Sequence, residues 1–144
     1  MATEIRWERM TAPELKTLAA DPEALVVLPV GSLEQHGPHL PVWTDSFCAH
    51  AFATRAAEAA GIPVAVLPPM WMGLSEHHFP FGGTISLDHA TFHAVLRCIV
   101  RSIMADGFRR LLIVNGHGGN IEPLAVSVRE MAHEFGIPIV TTTW

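Results

Sequence analysis

Four short strand-length segments rich in apolar or β-branched residues, at 24–30, 63–67, 110–114 and 137–143, are separated from one another by segments of helical character. Runs of that length without polar alternation suit strands covered on both faces. A chain that leaves one such strand through a helix before entering the next is expected to build a parallel sheet flanked by helices. The helix signals agree with this. Thr11-Ala-Pro-Glu opens a helix that closes before Asp21-Pro22, an alanine-rich segment over 45–60 stops at Gly61, Asp88 caps a segment ending at Gly107, and 121–135 ends at Gly136. The expected class is therefore α/β with a mostly parallel central sheet.

In such a sheet the loops at the carboxyl ends of the strands gather along one edge, where ligands bind. Here the three polar, glycine-rich loops are all of that kind. They carry Glu34, His36 and His39 after the first strand, Glu76, His77 and His78 after the second, and His117 after the third. Residues distant in the chain are thereby expected to converge.

Composition limits what these loops can serve. With 144 residues, 49% of them hydrophobic and 16% charged, the chain reads as one globular domain spanning 1–144. Nine basic residues against fourteen acidic ones give a net charge of −5, with no basic cluster, so neither nucleic acid nor an anionic membrane is an expected partner. No signal-peptide layout or membrane-length apolar run occurs, and Cys48 and Cys98 lack a partner motif. The expectation is a soluble, cytoplasmic protein with two reduced core thiols. Histidine stands apart: nine copies, equal in number to all lysines and arginines, invite a metal or acid–base reading.

Glu34 and His36 are two residues apart, a spacing that in extended backbone sends both side chains to one side, and Asp45 follows where the next helix starts. Carboxylate and imidazole without thiolate suit Zn2+, Mn2+ or Fe2+. On spacing alone, a tight surface loop capped by its histidines explains the segment equally well. His117 lies in Asn-Gly-His-Gly-Gly-Asn at a strand-to-helix turn, where it is either a metal ligand or part of a phosphate-cradling loop. The second use is the weaker, because the glycines do not follow GxGxxG and no P-loop lysine follows. Glu122, one turn on, is a ligand candidate or a partner of the helix dipole. In Gly73-Leu-Ser-Glu-His-His-Phe-Pro-Phe-Gly-Gly-Thr84, one of His77 and His78 either meets substrate or packs the loop, and Ser75, Glu76 and Trp71 are expected on the substrate side. Trp71, Met72, Phe79 and Phe81 are expected to line one compact, partly apolar pocket. His89 and His93 lack the glutamate of HExxH and are assigned to a solvated helix face, while His50 and His133 are assigned structural roles.

The runs LPVGSLEQHGPHLPVWTD, GLSEHHFPFGGTISL and GFRRLLIVNGHGGN, in this order, resemble the creatininase family of metal-dependent amidohydrolases. The resemblance covers most of the chain from Leu28 to Asn120. It implies a three-layer creatininase-like fold, two divalent cations per site, and a homo-oligomer, commonly a hexamer. It also implies hydrolysis of a non-peptide or small-peptide amide C–N bond by metal-activated water. The family includes creatinine amidohydrolase, a peptidase of mycofactocin maturation and a formamide hydrolase of deazaflavin biosynthesis. Carried across, Glu34 and His117 resemble ligands of one metal, His36 a ligand of the other, and Asp45 the carboxylate between them. Two departures stand out. Gly119 occupies the place of a glutamate ligand in creatininase itself. The family's later His-Ala-Gly-x-x-Glu-Thr-like motif, with its catalytic histidine, does not occur, so the domain is expected to be truncated. His78, His77 or Glu122 would then have to deliver the proton to the leaving nitrogen. A phosphate- or nucleotide-binding module and a non-catalytic, incomplete remnant of the family remain the competing readings.

Overall fold

A computed structural model describes residues 4–144. The elements alternate as expected: α1 (Ala12–Ala19), β1 (Leu25–Val30), α2 (Thr44–Ala60), β2 (Val64–Val66), α3 (His89–Ala105), β3 (Leu111–Asn115), α4 (Ile121–Phe135) and β4 (Ile139–Thr143). The helix starts are chemically defined. The Glu14 carboxylate accepts from the Thr11 N–H at 2.7 Å ahead of α1, and Asp88 Oδ1 accepts from the Thr91 N–H at 2.7 Å ahead of α3.

All strand pairs are parallel, in the spatial order β2-β1-β3-β4. The chain moves from β1 to β2 on one side and then crosses back over β1 to β3. A right-handed crossover in each direction puts α2 on one face of the sheet and α3 with α4 on the other. Three layers result. On the α3/α4 face, Val26, Leu28, Val30, Leu111 and Ile113 meet Phe92, Leu96, Val100 and Ile103 of α3 and Leu124 and Met131 of α4. On the other face, Val27, Val64, Val66 and Val114 meet Ala53 and Ala57 of α2, whose small side chains let the helix lie close to the sheet. The strand order reverses between β1 and β3. The loops that leave those two strands part toward opposite faces there and open a crevice at the carboxyl edge.

The structure departs from the sequence reading in several places. Cys98 is exposed and Cys48 only partly buried, so neither is a core thiol. The buried stripe of α3 runs through Phe92, Leu96, Val100 and Ile103, and Cys98 falls on the far side of that helix. His93 is not on a solvated face: it is half-buried, and its Nδ1 lies 3.1 Å from Ser127 Oγ, linking α3 to α4. His133 is exposed. The loop after β2 contains a 3-10 helix, Glu76–Phe81. Among the described residues, no helix is long and apolar enough to cross a membrane.

Candidate metal centre

The crevice between β1 and β3 is shaped by close backbone approach. A Cβ on Gly116 would sit 2.6 Å from the Asp45 carbonyl oxygen and 2.9 Å from the Ala49 Cβ, so glycine is what lets α2 begin directly against the end of β3. Asp45, in the first turn of α2, is thereby brought to His117, 72 residues further along. Glu34, from the loop after β1, completes a buried group. Ligand atoms of Glu34, Asp45 and His117 all lie within 4.8 Å of one another, and the three residues are 5%, 8% and 4% exposed.

The hydrogen bonds fix how each group faces the others. His117 Nδ1 lies 3.0 Å from Asp45 Oδ2 and 3.2 Å from Glu34 Oε2, while its Nε2 lies 3.1 Å from the Leu74 carbonyl oxygen. A carbonyl only accepts, so Nε2 carries the proton and Nδ1 is turned toward the two carboxylates. His36 is oriented the opposite way. Its Nδ1 donates to the Glu34 carbonyl oxygen at 3.1 Å and its Nε2 lies 2.8 Å from Asp45 Oδ1. The two oxygens of Asp45 thus face two different imidazoles.

Charge follows from this packing. Burial works against the imidazolium of His117, but the Asp45 and Glu34 carboxylates outweigh it and hold its pKa at about 9. Burial likewise opposes the ionised form of Glu34, yet hydrogen bonds from His117 and Ser75 pull its pKa down to about 2. Without a cation, a proton on His117 supplies the positive charge between two carboxylates.

Around this group is a supporting shell whose Ser32, Asn115 and Asn120 the sequence reading gave no role, and whose Ser75 it placed on the substrate side. Asn120 is wholly buried. Its Nδ2 donates to the Gly31 carbonyl oxygen at 3.0 Å and to Asn115 Oδ1 at 3.2 Å, and its Oδ1 accepts from the Leu74 N–H at 3.0 Å. One side chain ties together the loops after β1, β2 and β3. Asn115 Oδ1 also accepts from the His117 N–H at 3.1 Å. Ser32 Oγ lies 2.7 Å from Ser75 Oγ, and both hydroxyls reach Glu34 Oε2. The available signal was the pair of asparagines flanking Gly-His-Gly-Gly, polar residues at a strand end and at a helix start.

The other candidate residues are placed as follows. His78 Nδ1 lies 2.9 Å from Glu34 Oε2, with its side chain 22% exposed. His77 is exposed, stacks on the His117 ring at 6.0 Å and lies 4.3 Å from the His78 ring. Ser75 is wholly buried behind Glu34 rather than open to solvent. Glu76 is exposed. Glu122 is also exposed and lines a separate cavity with His89, His93 and Glu130. Trp71 leans on Trp43 at 6.5 Å and shares with Met72 a cavity of about 280 Å³ against Leu28 and Ile99. Phe79 and Phe81 are not among its lining and are 52% and 68% exposed, so the four side chains expected to share one pocket are divided. The 3-10 helix turns the two phenylalanines outward.

Residues 8–144 match the Creatininase family, described as creatinine amidohydrolase. The mycofactocin precursor peptide peptidase of Mycolicibacterium smegmatis is 42% identical over 114 residues, which cover 76% of this chain and 46% of the relative. The creatinine amidohydrolase of Pseudomonas putida is 33% identical over 135 residues, 86% of this chain and 50% of that protein. A solved creatininase described with Mn superposes with a TM-score of 0.83 at 30% identity, covering 98% of this chain and 58% of the other. The chain thus spans about half the length of the curated relatives it matches. On the strength of the family match and the shared fold, this chain belongs to the creatininase family.

Proposed function

We propose that the chain carries the metal-binding part of an amidohydrolase that cleaves an amide C–N bond in a small molecule or short peptide. The observation that carries this reading is the convergence of Glu34, Asp45 and His117 ligand atoms in a buried position at the carboxyl edge of the sheet. The donor set fits a divalent cation. Two carboxylates and one imidazole nitrogen point into a common space, and the Leu74 carbonyl holds the imidazole in the orientation a ligand needs. His36 Nε2, on the opposite oxygen of Asp45, gives the start of a second cation position. Zn2+, Mn2+ and Fe2+ all suit such oxygen and nitrogen donors.

Held there by Glu34, Asp45 and His117, a divalent cation would polarise the amide carbonyl and would lower the pKa of water from about 15.7 toward about 7. The chain's own groups do the rest. Asp45 and Glu34 fix the reacting site against the end of β3, and Ser32 and Ser75 keep Glu34 in place. His78, whose Nδ1 lies 2.9 Å from Glu34 Oε2 in a side chain that is 22% exposed, is the group assigned to donate to the leaving nitrogen. Trp71, Glu76 and His77 belong to the approach that substrate uses. The exposed Phe47, Phe52, Phe79 and Phe81 support a homo-oligomeric assembly, and the two free thiols support a reducing, cytoplasmic setting.

The test is cation analysis of chelator-treated and reloaded protein, together with turnover of lactams, formamides and dipeptide amides. Asp45→Asn is expected to weaken cation binding by at least ~10–100-fold. Unchanged cation content in that variant, or phosphate release from nucleotides with no amide turnover, overturns the reading.

A further inference from the structure

A second group of ligand atoms lies outside the arrangement described so far. Glu34, His77 and His78 also offer one ligand atom each within 4.8 Å of one another, and unlike the buried Glu34–Asp45–His117 group this one opens to solvent through the exposed His77. The 3-10 helix Glu76–Phe81 folds the two consecutive imidazoles together, with ring centres 4.3 Å apart. An independent observation points the same way. His78 Nδ1 is buried and has no hydrogen-bond partner, although it lies only 2.9 Å from Glu34 Oε2: its direction does not make a hydrogen bond with that oxygen. A buried nitrogen in that condition is destabilising unless something else satisfies it.

We propose that Glu34, His77 and His78 form a further, solvent-facing cation position that shares the Glu34 carboxylate with the buried group and is separate from the His36–Asp45 position. Two imidazoles, one carboxylate and an open side are the donor set of a zinc site with room for a water or substrate ligand. A carboxylate has two oxygens and about four lone-pair sites, so Glu34 is able to serve both positions. The ion pairs of Glu34 are with His78 and His117, and no lysine or arginine competes for it among the described residues. The inference rests on the proposed function only through that shared Glu34. It also adds a regulatory consequence. A cation on His78 Nδ1 occupies the lone pair that would otherwise carry the proton for the leaving nitrogen, so excess cation acts against the reaction.

The experiment is calorimetric titration of the chelator-treated chain with Zn2+, repeated with Co2+ to follow the ligand set by its visible absorption. The unmodified chain is expected to show a tight event at the buried group and weaker binding at the His36–Asp45 and Glu34–His77–His78 positions. The double variant His77→Ala, His78→Ala is expected to lose one weaker event, or to weaken it ~10–100-fold, and to keep the tight one. His36→Ala is expected to affect only the His36–Asp45 position and to keep the event that the double variant loses. Because His77 is exposed, His77→Gln provides a variant that leaves the packing alone, and it is expected to weaken the same event. Weaker binding that is unchanged in the double variant, or reduced only by His36→Ala, overturns this inference and leaves the buried site standing. Absence of any binding by the unmodified chain overturns the buried site and this inference together.

Discussion

Replacing Asn120 with alanine removes the one side chain that joins three loops. Asn120 is 0% exposed, and its amide satisfies the Gly31 carbonyl and the Leu74 N–H, both deep in the crevice. Asn115 Oδ1 loses one donor but keeps the His117 N–H. Two buried backbone groups are left without partners, at about 1–3 kcal/mol each, so the expected loss is about 2–6 kcal/mol. A domain of this size has a total stability on the order of 7–20 kcal/mol. At roughly 2–4 °C per kcal/mol, the midpoint of thermal unfolding should fall by about 4–24 °C, measured by circular dichroism on chelator-treated protein. Asn120→Asp sharpens the argument. It keeps an acceptor for the Leu74 N–H but sets a carboxylate against the Gly31 carbonyl and Asn115 Oδ1, so it should destabilise at least as much as alanine. A fall of less than ~2 °C for alanine, or an aspartate variant close to the unmodified protein, would refute the assignment of Asn120 as the tie between loops.

Gly119→Ala tests the closeness of the loop after β3. The new Cβ would lie 2.5 Å from both His117 Nε2 and the Leu74 carbonyl oxygen, so the bond that orients His117 must give way; cation affinity measured by competition should drop ~10–100-fold, and an unchanged affinity would show that the loop is free to adjust. The cation-free protein should also have a narrow pH range of greatest stability. Glu34, with its pKa lowered from 4.5 to about 2, contributes stability that is complete above 4.5 and lost as pH falls toward 2. His117, raised from 6.5 to about 9, contributes stability that is complete below 6.5 and lost as pH rises through 9. Urea midpoints should therefore peak between about 4.5 and 6.5, and His117→Gln should remove the alkaline decline; a flat profile from 6.5 to 9 in chelator-treated protein contradicts the coupling.

The alternation of elements could be read from the chain because each cue is local. Apolar or β-branched runs mark β1 through β4, Asp88 and the Thr11–Glu14 pair mark helix starts, and glycines mark the ends; boundaries moved by only a residue or two, as when β4 began at Ile139 rather than 137. The three polar loops were also visible, since glycine, histidine and acid concentrate there. What local cues do not carry is which strand lies beside which. β1, β2 and β3 are similar apolar runs, only β4, Ile-Val-Thr-Thr-Thr, being largely exposed, and the order β2-β1-β3-β4 is set by packing against α2 on one face and α3 with α4 on the other. That order alone places the crevice between β1 and β3 and brings Asp45 against His117. The same holds for Cys98, Ser75 and Asn120, whose burial depends on which side of an element faces a neighbour distant in sequence. Sequence determined the kinds of side chain available to a cation. Only the tertiary structure decided which nitrogen of each histidine faces a carboxylate, because that choice belongs to the Leu74 and Glu34 carbonyls, groups that every residue possesses and no sequence pattern distinguishes.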